Sequence, residues 1–304
     1  MQLTIAICTY RRNQYLAALL RDIANQTGRT QFVVLVVDNA SDEACAELCA
    51  QFPGVKYTTE TTTGLSYARN AALELSTSMW TLFLDDDVRI TYDFLSRYWE
   101  ALQRAPPKVA ALGGRYTHLY VVPPPKWLPP LVGEGRRPSE RTTEGELPPG
   151  DYLSGGTMAV RTALAVQLGG YSVTLGMQGE KLAYAEEDDL QHRFRTAGYT
   201  IYYDPTLVME HVYQPYKYAV AVQLKIAYGQ GRDSVTDSPY GIGNLLKGWV
   251  RICCYLMPVD VVRSLIRPNY PLQTVAIRAL RRLAYAKGRY DQFRRSPANS
   301  SANQ

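Results

Sequence analysis

Through the first 115 residues, short apolar runs alternate with segments whose apolar positions recur every three or four residues. The runs Leu3–Cys8, Phe32–Val37, Val55–Thr58, Trp80–Leu84 and Val109–Gly113 have the length and β-branched character of strands. Between the first two, Tyr15, Leu16, Leu19, Leu20 and Ile23 mark one face of a helix. Ala68, Ala71, Ala72 and Leu75 mark a second helix between the third and fourth. Strand–helix alternation over short connections predicts an α/β fold with a mostly parallel sheet covered on both faces.

Val122 to Gly150 breaks this rhythm, because it holds 8 of the 18 prolines. Proline denies the backbone both helix and ladder hydrogen bonds, so 122–150 is expected to be a flexible loop on the acceptor side of any site. Order resumes with a strand at Thr157–Val160, helices at Ala163–Leu168 and Asp188–Ala197, and a strand at Thr200–Tyr203. After His211 the chain reads as mainly helical. The expected organisation is therefore 1–115, 116–232 and a helical extension over 233–304.

The apolar content of 46% suits a globular chain, and no run of about 18 uncharged apolar residues suggests a membrane span. The amino terminus lacks the basic segment and long apolar stretch of a secretory signal. Five cysteines, odd in number and without metal-ligand spacing, point to the reducing cytoplasm. The net charge of +5 is uneven: residues 241–304 carry 11 Lys and Arg against two acids. Leu245, Leu246, Trp249, Ile252 and Leu256 form one apolar stripe there, and Ile277, Leu280, Leu283 and Ala284 form another. Such basic amphipathic helices either lie on an anionic membrane surface, at the inner face of the membrane, or pack against protein. Nothing suggests a nucleic-acid partner.

The chemistry-bearing feature is Asp85-Asp86-Asp87, closing an apolar strand. Carboxylates repel one another and are costly to desolvate, so three at a strand end are either a solvated turn or a divalent-cation site. Mg2+ and Mn2+ prefer such oxygens and leave positions for substrate phosphates. Ligands in α/β sheets sit at the carboxyl ends of strands, where this triplet falls. Thr9-Tyr10-Arg11-Arg12 follows the first strand with groups suited to a base and phosphates. Asp38 ends the second strand and is placed to accept hydrogen bonds from a base or ribose, while Ser41 and Asp42 turn or cap. Gly64-Leu65-Ser66 opens a helix with Ser66 as its expected N-cap and Arg69 and Asn70 aimed at a nucleotide. Glu186-Glu187-Asp188-Asp189 precedes another helix, whose positive end favours acids. One of those acids, partly desolvated, has the basicity of a general base. His211 is a candidate second metal ligand with Asp87.

In order and spacing, these segments resemble the inverting family 2 glycosyltransferases of GT-A fold. The likeness continues through Gly155-Gly156-Thr157-Met158-Ala159-Val160-Arg161 and Gly169-Gly170-Tyr171, and covers residues 3 to 232. It implies a mixed, mostly parallel sheet flanked by helices, with a nucleotide-sugar half in 1–115 and an acceptor half in 116–232. By that resemblance Thr9, Tyr10, Arg12, Asp38, Arg69, Asp85 and Asp86 line the nucleotide-sugar site. Asp87 and His211 hold Mg2+ or Mn2+ on the diphosphate. Glu187 is the acceptor base, with Asp188 one residue out as the alternative. Thr157 departs from the Asn common at its position in the family. The donor is a nucleotide-diphosphate sugar and the acceptor a glycan or lipid-linked hydroxyl. A sugar-nucleotide-binding scaffold without turnover is the rival reading. A nucleotidyltransferase lacks its glycine-rich loop here, and an oxidoreductase its Gly-x-Gly-x-x-Gly.

Overall fold

The computed structural model describes residues 3–27, 32–132, 141–179, 183–235 and 240–295. They fall into two compact units, one of Met1–Leu119, Arg136–Lys181 and Glu186–Val212, the other of Tyr120–Gly135, Leu182–Ala185 and Tyr213–Gln304.

The first unit is built on one sheet of β1 (Leu3–Thr9), β2 (Phe32–Asp38), β3 (Val55–Thr59), β4 (Trp80–Asp85), β5 (Val88–Ile90), β6 (Val109–Leu119), β7 (Gly145–Glu146), β8 (Thr157–Arg161) and β9 (Thr200–Val212). The order is β3-β2-β1-β4-β8-β6-β9-β5, with β7 on β9. Strands β3, β2, β1 and β4 are parallel; β8 runs antiparallel to β4 and β6, and β9 is parallel to β6. Alternation along β1 sends Ile5 and Ile7 to one face, with Leu16, Leu19 and Ile23 of α1 (Asn13–Ala24). Ala6 goes to the other, with Ala68 and Ala72 of α3 (Leu65–Leu75). Helix α2 (Glu43–Ala50) is capped by Asp42, whose carboxylate accepts from the Ala44 amide at 3.1 Å.

Three sequence expectations are corrected. Helix α3 starts at Leu65 with Gly64 (φ 152) as its N-cap, so Ser66 caps nothing; its hydroxyl donates to the Leu175 carbonyl at 2.9 Å. A glycine is needed because that φ is strained for any side chain. Strands β6 and β9 run well past Gly113 and Tyr203, the last residues of their expected runs. Beyond them lies a bulge: the register shifts between Gly114 and Arg115, and a Cβ on Gly114 would collide with the Leu207 carbonyl. Asn70 is not aimed at a ligand; it clamps Tyr171, donating to its carbonyl at 2.9 Å and accepting from its amide at 2.7 Å.

The unit also holds α4 (Phe94–Arg104), α6 (Thr162–Gln167) and α7 (Glu186–Thr196). Of the proline-rich stretch, 133–140 lie outside the described residues.

The second unit is helical: α5 (Pro129–Val132), α8 (Val220–Arg232), α9 (Ile242–Arg251), a π-helical turn (Ile252–Leu256), α10 (Met257–Ile266) and α11 (Leu272–Arg295). Trp127, Leu128, Leu131, Tyr213 and Ile277 form its small core. Helices α8 and α11 cross at Gly231 and Gly288, where a Cβ on either would strike the other helix's backbone. Asp260, 1% exposed, is held by Tyr270 Oη at 3.1 Å and by Arg263, Arg278 and Arg282.

Candidate active site

Strands β2 and β4 lie on either side of β1, so the chain reverses its direction of travel across the sheet there. Such a switch point opens a crevice beyond the strand ends. Cys8 of β1 pairs with Asp85 of β4, which places Thr9 and the acidic triplet together at that point.

Asp86 and Asp87 are buried, so the triplet is not a solvated turn. Part of the compensation comes from the chain: Thr9 Oγ1 donates to Asp86 Oδ2 at 2.8 Å, and Arg12 Nη1 reaches Asp86 Oδ1 at 3.2 Å and Asp87 Oδ2 at 3.1 Å. Burial pushes the Asp86 carboxyl up to about 7; Arg12 opposes this and Asp87 adds to it. Tyr10 is half-buried beneath the Arg11 guanidinium, 5.2 Å from its ring centroid. Asp38 is buried and shapes the loop after β2, accepting from the Ala40 and Asp42 amides and from Tyr57 Oη at 2.7–2.9 Å.

Long β9 delivers His211 to the triplet. In the antiparallel β5–β9 pair His211 stands opposite Val88, and the Val212 amide donates to the Asp87 carbonyl at 2.8 Å. His211 Nε2 lies 3.3 Å from Asp87 Oδ1. One ligand atom each of Asp85, Asp87 and His211 fall within 4.8 Å of one another. Two carboxylates and an imidazole on one divalent ion suit Mg2+ or Mn2+. Room exists beside Asp85 because Gly156 has no side chain; a Cβ there would collide with the Asp85 carboxylate. Gly156→Ala is therefore expected to weaken metal-dependent nucleotide binding by about tenfold or more while leaving the circular dichroism spectrum unchanged. Calorimetry with Mn2+ and a nucleoside diphosphate checks it.

Arg69 ties this group to the second acidic run. Buried at 3% exposure, it donates to Glu186 Oε1 at 2.8 Å and to Asp85 Oδ1 at 3.4 Å. Its guanidinium lies 5.2 Å from the Tyr171 ring centroid. Gly155 leaves space for it and Gly176 for its partner: a Cβ at Gly155 would come within 2.8 Å of Arg69 Nη2, and one at Gly176 (φ +81) within 3.0 Å of the Glu186 carboxyl carbon. Helix α7 begins at Glu186, so its first-turn acids meet the helix's positive end. Glu186 and Glu187 are buried; Asp188 is half-buried. Asp189 is turned to Arg193 at 2.7 Å, and Arg193 also donates to the Leu168 and Gly170 carbonyls.

Burial, reinforced by the Glu187 carboxylate, pushes Glu186 up to about 8 against the pull of Arg69. In that state the folded chain holds a proton that the unfolded chain has released above its ordinary 4.5. This group's contribution to stability is thus full below about 4.5 and falls as pH rises through about 8. Glu186→Gln is expected to flatten the decline in melting temperature over that interval, measured by calorimetric scans at successive pH values.

All the sequence-selected residues lie in this one unit. Two partners were not foreseen: Asp85 within the chelating group and Glu186 against Arg69. The i, i+2 spacing of Asp85 and Asp87 carried the first signal; nothing local carried the second. His118, opposite His211 in the β6–β9 register with rings 6.4 Å apart, was likewise invisible.

A mixed sheet with a parallel half in the order 3-2-1-4 and an Asp-x-Asp pair at its switch point is the arrangement of the GT-A fold. The model of Glycosyl transferase family 2 matches residues 4–165, more than half of the chain, which belongs to that family. The succinoglycan biosynthesis protein ExoM of Rhizobium meliloti is 28% identical over 212 residues, 67% of this chain and 65% of that protein. The chain thus spans slightly less than two thirds of that relative's length. A glucosyl-dolichyl phosphate glucuronosyltransferase of Haloferax volcanii is 23% identical over 223 residues, 69% of each. Among solved structures, mannosyltransferase PcManGT from Pyrobaculum calidifontis in complex with GDP-Man and Mn2+ superposes with TM-score 0.65 at 17% identity, covering 96% of this chain and 88% of its own. S. aureus TarS in complex with UDP gives TM-score 0.52 at 18% identity, covering 100% and 92%. At these identities the structural likeness speaks for the fold.

Proposed function

We propose that the chain is a metal-dependent, inverting glycosyltransferase moving a sugar from a nucleotide-diphosphate donor to a hydroxyl of a glycan or lipid-linked acceptor. The observation that carries this reading is the Arg69 bridge, which links the chelating Asp85 to the buried acid pair at the start of α7. A site that must stabilise a departing diphosphate and deprotonate an attacking hydroxyl needs both groups side by side.

In this reading Asp85, Asp87 and His211 hold the ion, Mg2+ or Mn2+. The bound cation supplies positive charge for the leaving diphosphate without proton transfer. Residues 1–115 bind the donor and 116–232 the acceptor. Thr9, Tyr10, Arg12 and Asp86 form the floor and wall of the nucleotide-sugar site, and Asp38 sets the shape of its loop. Arg69 fixes Asp85 and Glu186, and Glu187 beside them is the base; Asp188 is the alternative. Glu187 takes the proton of the acceptor hydroxyl as its oxygen bonds to the anomeric carbon from the face opposite the diphosphate. The sugar–phosphate bond breaks in the same displacement, and the configuration inverts.

Acceptor class is supported by the relatives: one is a succinoglycan biosynthesis protein, another a glucosyl-dolichyl phosphate glucuronosyltransferase. Among the described residues no helix is long and apolar enough to cross a membrane. We place the enzyme in the cytoplasm, peripheral at the inner membrane face.

The test is nucleotide release across a panel of UDP-, GDP- and dTDP-sugars with and without Mn2+. Release from at least one donor, dependent on metal, is expected. Donor binding without release from any of them, with every acceptor class supplied, would favour the scaffold.

A further inference from the structure

The basic extension contains two apolar stripes whose partners its sequence leaves open, and packing separates them. From Ile242 to Ile266 the chain is helical throughout, as α9, the π turn and α10. Leu245 and Ile252 of the expected stripe are buried, and so is Asp260. Leu246 and Trp249 are exposed. So are Val250, Val262, Leu265 and Ile266, the last two at 78% and 70%. Ten of the 22 described large apolar side chains that are exposed fall in these 25 residues. Scattered exposed apolar residues are ordinary; a concentration along one helical run marks an interaction surface.

The charge on that surface has one sign. Lys247, Arg251 and Arg267 are exposed. The sole acid between 240 and 270 is Asp260, which is turned inward and surrounded by three arginines and Tyr270. An outer face with Trp249, Tyr255, aliphatic side chains and cations, and no exposed acid, matches the boundary between anionic headgroups and acyl chains. It is a poor match to itself. A two-fold contact would bring the same cations face to face with no carboxylate between them.

We propose that the outer face of α9, the π turn and α10 docks the enzyme onto an anionic phospholipid bilayer, with the helical run lying in the interface plane. This names the docking face for the peripheral placement above and does not depend on the catalytic assignments, so vesicle binding and nucleotide release fail separately.

Sedimentation of the full chain with phosphatidylglycerol-containing and pure phosphatidylcholine vesicles tests it. Binding to the anionic vesicles at low salt is expected, weaker on neutral ones by about tenfold or more. Leu265→Glu/Ile266→Glu is expected to abolish it, and Lys247→Glu/Arg251→Glu to remove the preference for anionic lipid. Both variants alter exposed side chains, so melting temperature and nucleotide release to a water-soluble acceptor are expected to stay at the wild-type level. No pelleting of the wild-type chain with anionic vesicles at low salt overturns the proposal. So does pelleting that survives Leu265→Glu/Ile266→Glu, or a solution dimer that this variant dissociates.

Discussion

Asp87→Ala is expected to reduce sugar transfer by about three orders of magnitude and to remove metal-dependent binding of a nucleoside diphosphate. The carboxylate faces His211 Nε2 at 3.3 Å with one oxygen and Arg12 at 3.1 Å with the other. Its loss takes one donor from a group of three and removes the Arg12–Asp87 ion pair. A site with so few protein ligands has no spare one, because substrate phosphates and water fill the remaining positions. Asp85→Asn is expected to weaken both metal and nucleotide binding, since its carboxylate belongs to the same group and also pairs with Arg69. Calorimetric titration of the nucleoside diphosphate with and without Mn2+ reads both variants, with circular dichroism as the folding control. Undiminished metal-dependent binding by Asp87→Ala would remove Asp87 from the metal site.

The second large effect is expected from Glu187→Gln: kcat falls by about 10²–10⁴ while donor affinity stays within about twofold. The amide keeps the shape of the buried side chain and removes its basicity. Arg69 engages Glu186 directly, so that neighbour keeps the donor-side geometry when Glu187 becomes an amide of the same shape. Asp188→Asn is the comparison, expected to stay near wild-type turnover. Single-turnover kinetics with a saturating donor separates chemistry from binding. The opposite pattern, an inactive Asp188→Asn and an active Glu187→Gln, would move the base one residue along α7.

Much of this protein was legible in its residue pattern. Strands β1, β2, β3 and β4 appear where their apolar runs predict them, each extended by one residue at its carboxyl end. Of the expected α1 stripe Leu16, Leu19, Leu20 and Ile23 are buried, with Tyr15 half-buried at its edge and Ala17 buried beside it. These features depend on a period within a dozen residues, which the chain carries locally. The acidic triplet could likewise be singled out, because buried neighbouring carboxylates demand compensation wherever they occur.

Other features were decided only when distant segments met. The expected runs end at Gly113 and Tyr203; the β6–β9 bulge carries both strands further, and that longer β9 brings His211 to Asp87. Arg69 and Glu186 are 117 residues apart, and neither segment alone says that the two meet. Along α9 and the π turn, all positions of the expected stripe satisfy helical periodicity; packing buries Leu245 and Ile252 and leaves Leu246 and Trp249 outside. A hydrophobic period belongs to one segment and is written in its sequence. Strand register, ion pairing and the burial of one apolar position over another are properties of pairs of segments, and their energies exist only in the folded arrangement.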